Sequence, residues 1–190
     1  MEDIRTRLIN ATFDEIYTNG YHATSLANIL TSANTKKGSM YHYFSSKKEL
    51  VLAMIEEKLE LRIEKRWKEL STCDANIIDF LIDTLNDTQN IDLQRGCPLG
   101  NLLQESINDD EDFTDILTKI LHRWKNIFVS ILHKAAQNDE IKDSIDIEKC
   151  AIFLIASIEG ALLIAKKSKD RQDYEDCMEQ LTFYLYSIKK

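Results

Sequence analysis

The sequence predicts an all-α fold, and three observations predict it. Its 190 residues include only five glycines and one proline, so few positions break a helix, while 44% apolar content is ordinary for a packed core. Apolar residues recur at three- and four-residue spacing in one window after another, the period of a helix face laid on a core. No window alternates apolar and polar residues as a half-buried strand does, and there is no internal repeat or low-complexity stretch. Together these give about nine helices.

The elements follow in order. Residues 3–19 carry Ile9, Phe13 and Ile16 on one stripe, and Gly20 is a natural stop. Thr24 is placed to cap a short helix over 25–32, with Leu26, Ile29 and Leu30 facing inward. A second short helix over 35–44 has Met40 and Phe44 one turn apart on its buried side. Ser45 and Ser46 precede a long helix to about residue 70, striped by Val51, Leu52, Ile55, Leu59 and Ile63. A helix over 74–87 and a connector over 89–97 come next, and Pro98 starts a short helix at the one position where its missing N–H costs nothing. Long helices then span 112–137, 146–167 behind an Asp146 cap, and 172–188.

Charge divides the chain. Residues 1–48 hold six Lys/Arg against four Asp/Glu, a balance of +2, so the other 142 residues carry −10 of the total −8. A basic head on an acidic body suggests that only the head meets a polyanion. Domains are therefore expected at 1–48 and 49–190. Asp14 and Glu15 interrupt the first helix, so no secretory leader is expected. The longest apolar run, 151–165, is too short to span a bilayer and contains Glu159. A cytoplasmic protein is the expectation. Cys73, Cys97, Cys150 and Cys177 lie far apart without a C-x-x-C pair, which argues against a zinc site and for reduced thiols. No metal and no cofactor are expected.

Two short helices joined by about four residues, behind a longer one, make a helix-turn-helix unit whose second short helix suits the DNA major groove. With Met40 and Phe44 buried, Lys37, Ser39, Tyr41 and His42 turn outward or to the flanks, offering hydrogen bonds to base edges and phosphates. Lys36 puts a cation at a helix N-terminus, slightly unfavourable unless a phosphate sits there. Lys47 and Lys48 can pair with phosphates beside the positive end of the next helix, Thr24 can bond another, and Gly38 allows close backbone approach. The plainer alternative is a solvated helical hairpin, since charge runs usually serve solubility. On this stretch alone the two readings stand level. Residues 7–50, with "NGYHATSL", "KGSMYHYF" and "SKKEL", resemble the N-terminal domain of TetR/AcrR transcriptional regulators. That resemblance implies DNA contacts at Thr24, Lys37, Ser39, Tyr41, His42 and Lys48. The chain departs from the family at Asn34-Thr35-Lys36, where a glycine is usual, but Asn tolerates the left-handed backbone that such a turn needs.

In the body, the last helix repeats Tyr174, Cys177, Leu181, Tyr184 and Ile188 at three-four spacing, and the helix before it carries Leu154, Ile158 and Ala161 on one side. That helix is apolar on several faces, which favours a dimer-forming four-helix bundle over simple closure of one core. "ASIEGALLIAK" also resembles the family's dimer helix. A ligand pocket is expected among the middle helices, with Trp67, Phe80, Leu103, Leu121, Trp124, Phe128 and Phe153 as walls and His122 as a polar group; plain core is the alternative for each. Cys97 joins this group. It precedes Pro98, where backbone N–H groups converge and Arg95 is near, so it is either a thiol sensor of oxidants or electrophiles or a structural cap.

The expected function is a ligand-responsive homodimeric regulator, a repressor that reads a palindromic DNA operator and is released by a small-molecule effector. It is not expected to be an enzyme: His22, His42, His122 and His133 are scattered, and no nucleophile-base order or phosphate loop stands out. A Cys97 nucleophile with His122 or His133 as base is the first rival, and a helical protein-interaction module without DNA binding is the second.

Overall fold

A computed structural model describes residues 2–89, 91–105 and 110–190. Ten α-helical segments fill it, two of them joined through a π-helical turn into one rod, so nine rods run through the described residues. Among those residues the only β pairing is an isolated antiparallel bridge between Ile141 and Lys189. The connector expected over 89–97 is non-helical where described; position 90 lies outside the described residues. The chain divides into two compact units, 1–62 with 98–120 and 63–97 with 121–190.

In the first unit, α1 (Ile4–Asn19) packs against α2 (Leu26–Ser32), α3 (Lys37–Met40) and α4 (Lys47–Met54). Asp3 caps α1 by accepting from the Thr6 N–H at 2.9 Å. Gly20 ends it at φ 83°, a conformation that penalises any Cβ, and its N–H donates to the Ile16 carbonyl at 2.8 Å. The cap of α2 is Ser25 rather than Thr24: the Asn28 N–H donates to the Ser25 hydroxyl at 3.1 Å. Asn34 adopts φ 47°, so asparagine makes the left-handed turn before α3, as expected from its short polar side chain. The α3 helix is shorter than the 35–44 expectation, because i→i+3 bonds such as Tyr43 N–H to Met40 carbonyl tighten its end into turns. Its buried side is as expected, with Met40 at 0% and Phe44 at 4% exposure.

Ser46 caps α4, and Glu49 reaches back to the Ser45 N–H at 2.6 Å, a reciprocal capping pair. The π-helical turn Ile55–Leu59 follows and leads into α5 (Glu60–Thr72). Val51, Ile55 and Leu59 are buried along this rod. The first unit also takes in α7 (Pro98–Gln104), which starts at the proline, and the early part of α8 (Glu111–Gln137).

In the second unit, α9 (Ile147–Ser168) packs along α10 (Arg171–Ile188), and α10 also packs on α6 (Ile77–Asn86). Asp146 caps α9 through the Lys149 N–H, and Lys169 closes that helix at φ 62°. Leu154, Ile158, Ala161, Tyr174, Met178, Leu181, Leu185 and Ile188 are all at most 5% exposed. The Tyr174 hydroxyl donates to the Leu85 carbonyl at 3.1 Å, which satisfies its one buried polar group, and burial raises its pKa to about 12.

Most of the expected dimer seam is buried within one chain. Leu154, Ile158, Ala161, Tyr174, Leu181 and Ile188 close the core of one chain, and Cys177 and Tyr184 are half-buried at its edge. The outward apolar face is offset from them. It presents Ile152, Phe153, Leu163 and Ile164 from α9 and Phe183 and Tyr186 from α10, each between 46% and 59% exposed. The three-four period shows that a stripe exists but not which of two apolar stripes meets its own core.

Candidate nucleic-acid interface

Burial of Met40 on α3 and of Phe44 just beyond it fixes how this segment is turned, and that decides what faces out. Lys36, Lys37, Gly38, Tyr41 and His42 are exposed, with Ser39 half-buried between them. Tyr41 is 49% exposed and the Lys37 ammonium lies 5.7 Å from its ring centroid, so a cation and a phenol project together. A Cβ added at Gly38 would meet nothing within 4 Å. Packing inside the chain therefore does not require glycine there, and the bare backbone leaves room for an outside partner. Tyr43, 44% exposed, adds a second aromatic that the sequence pattern did not single out. The Arg7 guanidinium donates to the Asn34 carbonyl at 3.4 Å, tying the turn before α3 back to α1.

Three expected contacts are engaged within the chain instead. Thr24 is 1% exposed, and its hydroxyl donates to the Glu15 carbonyl at 3.2 Å; it braces the turn between α1 and α2. The Lys47 ammonium donates to the Tyr21 carbonyl at 2.5 Å and sits 4.1 Å from the Tyr21 ring centroid. Burial draws its pKa below the ordinary lysine value, and the Glu105 carboxylate works the other way. Lys48 lies between two carboxylates, 2.7 Å from Asp110 Oδ2 and 2.7 Å from Asp112 Oδ2. The hydrogen bonds it donates to Asp110, then to Asp112, raise its pKa to about 12.

The side chains that hold this region come from far along the chain. Glu105 accepts from the Tyr21 N–H at 2.8 Å and from the His22 N–H at 3.4 Å, and Phe113, 1% exposed, packs its ring 5.0 Å from that of Tyr21. A Cβ on Gly20 would stand 2.8 Å from Glu105 Oε1, so the glycine serves both its left-handed backbone and the carboxylate beside it. None of Glu105, Asp110, Asp112 or Phe113 was singled out from sequence. Acids in a first helical turn are the ordinary complement of a helix dipole and carry no sign of a distant lysine.

In the second unit, Trp67, Trp124 and Phe128 form one buried aromatic cluster, with Trp67 and Trp124 centroids 4.7 Å and 6.3 Å from Phe128. The indole N–H of Trp124 is buried without a hydrogen-bond partner. Phe80 and Leu121 are half-buried. Two expected wall residues fall elsewhere: His122 is exposed, and Phe153 is 46% exposed with its ring 4.7 Å from Tyr184 on the outward face. Each sits on a side of its helix turned away from the core stripe. Leu103 belongs to the first unit.

Cys97 meets the Glu159 carboxyl, whose pKa burial raises while the Cys97 hydrogen bond opposes the rise. Glu159 Oε1 is buried without a partner. Arg95 Nε donates to Asp92 at 2.7 Å. Among the described residues no group of three or more His, Cys, Asp or Glu could hold a metal ion, and no helix is long and apolar enough to cross a membrane.

Residues 8–54 match the model of bacterial regulatory proteins of the tetR family, and residues 75–181 match that of the tetracyclin repressor-like C-terminal domain. An HTH-type transcriptional regulator in the lacX 3'region of Lactococcus lactis subsp. lactis is 30% identical over 177 residues, covering 90% of this chain and 87% of the relative. The crystal structure of E. coli NemR in its reduced form superposes with TM-score 0.84 at 23% identity, covering 100% of this chain and 98% of that one. Bacillus subtilis FadR in complex with stearoyl-CoA superposes with TM-score 0.72 at 20% identity, covering 95% and 96%.

Proposed function

The chain belongs to the TetR family of transcriptional regulators, with a helix-turn-helix DNA-binding domain and a tetracyclin repressor-like C-terminal domain, and from that premise we propose that it is a homodimeric repressor of a palindromic operator, released by a small molecule. The observation that carries the proposal is the surface of α3 and the turn after it: Lys36, Lys37, Gly38, Tyr41 and His42 stand outward on a segment anchored by Met40 and Phe44. Two copies would present two such helices to successive major grooves, about one helical turn apart. The outward apolar face of α9 and α10 is the surface for pairing them, since an exposed patch of six large apolar side chains is costly on a lone protomer. The effector would be taken by the C-terminal domain; the FadR relative of this fold holds an acyl-CoA, which supports a small-molecule effector without naming its class here.

The test selects bound duplexes from a random DNA library and then measures the affinity of Tyr41→Ala by fluorescence anisotropy. Loss of about tenfold or more in affinity is expected, the scale of one or two lost base-edge contacts. Unchanged helical content by circular dichroism is expected with it, because the Tyr41 side chain is not part of the core. Full affinity in Tyr41→Ala and in Lys37→Ala would remove α3 as the reading helix.

A further inference from the structure

The Lys48 ammonium has three N–H donors, and three carboxylate oxygens surround it: Asp110 Oδ1 at 2.8 Å, Asp110 Oδ2 at 2.7 Å and Asp112 Oδ2 at 2.7 Å. Asp110 is itself positioned, because its Oδ1 accepts from the Asp112 N–H at 3.1 Å at the start of α8. Lys48 occupies the first turn of α4, where the helix dipole disfavours a cation, so the two carboxylates supply the countercharge that this end of the helix otherwise lacks. The neighbouring Lys47 is turned onto Tyr21, with Glu105 as its acidic neighbour. Two ammonium groups and four carboxylates, Glu49 among them, thus crowd the N-terminus of α4 and leave a net negative charge there.

We propose that Asp110 and Asp112 are positioning residues for operator binding, occupying the donors of Lys48 that a DNA phosphate would otherwise take. The proposal rests on the DNA-binding reading above and adds to it the residues that set its strength. A phosphate reaching α4 must displace at least one carboxylate oxygen from an ammonium with no donor left over, and it does so against a local negative charge. The first turn of α8 then acts as an internal competitor: its distance from α4 governs whether Lys48 serves the chain or the DNA. The ion pair is more than a third exposed on each side, so water and salt reach it and exchange with a phosphate needs no core rearrangement.

The experiment uses the full chain and the duplex it selects from a random library. Asp110→Asn with Asp112→Asn keeps a capping amide at Asp110, since Asn and Asp cap equally well, and should bind that duplex about tenfold more tightly near 0.1 M salt. Its log K against log salt should steepen by about one unit, the signature of one additional phosphate contact. Adding Lys48→Ala to the double variant should remove the steeper salt slope and most of the affinity gain, because the new phosphate contact is made by the lysine. Asp112→Asn by itself, at a side chain 66% exposed, should give part of the gain and guards against a folding defect in the double variant. Equal or weaker binding by both Asn variants, with wild-type helical content, would overturn the proposal and leave the carboxylates as a structural brace. A wild-type chain that selects no duplex at all would instead overturn the DNA-binding reading itself.

Discussion

Glu159 is a half-buried acid with one carboxyl oxygen shut away from water. One carboxyl oxygen has no partner, and its known neighbour, the Cys97 thiol, offsets only part of the desolvation. With its pKa raised in the folded chain, the native state holds a proton that the unfolded chain has already released. Between the ordinary glutamate value and that raised one, stability therefore falls as pH rises, and above the window the penalty stays in full. Glu159→Gln removes the ionisation and keeps an oxygen for Cys97. It should raise stability at neutral pH by about 1 kcal/mol or more, the cost of an unsatisfied buried polar group, and flatten the acid-side slope. Urea unfolding of both chains across mildly acidic to neutral pH measures this; a slope in Glu159→Gln equal to that of the wild type would place its source elsewhere.

At the scale of elements, α9 and α10 each carry two apolar stripes with different duties. Leu181, 3% exposed, belongs to the inner one, and Phe183, 59% exposed, to the outer. A carboxylate at Leu181 would be buried without a partner, and Leu181→Glu should cost several kcal/mol and unfold much of the chain, on the order of the largest single-site effects. Phe183→Glu should keep wild-type helical content yet sediment as a monomer, because only the outward face is altered. A Phe183→Glu chain that still sediments as a dimer would show that the outer stripe is not where copies meet. The same contrast explains why the helical period could reveal apolar stripes without ranking them: both are spaced for a helix, and only the neighbours distinguish them.

Over the whole molecule, the helix-turn-helix belongs to a compact unit larger than its own residues. The compact unit runs to residue 62 and recruits residues 98–120. Glu105 holds the turn after α1 and Phe113 buries a ring against Tyr21. A fragment of residues 1–62 lacks both, and burial of one such ring alone is worth about 1.5–3 kcal/mol. The fragment should be less helical and melt at lower temperature than the corresponding transition of the full chain, read by circular dichroism. A fragment as helical and as stable as the intact protein would mean that residues 98–120 are not needed for this unit to fold.

What the sequence alone determined lies at short range. Helix count, the stops at Gly20 and Asn34, the start at Pro98, the Asp146 cap and the burial of Met40 and Phe44 follow from residues within a turn or two of each other, and backbone sterics and periodicity act over that distance. The exposure of Lys37, Tyr41 and His42 follows from the same periodicity once the buried side of α3 is known. The tertiary structure alone decided the rest. Thr24 turned inward, Lys47 closed onto Tyr21, Lys48 found Asp110 at a separation of 62 residues, and α9 and α10 gave most of their expected seam to their own core. A side chain's type states what it can bond, but its partner is chosen by which distant element the fold brings beside it, and that choice leaves no local pattern to read.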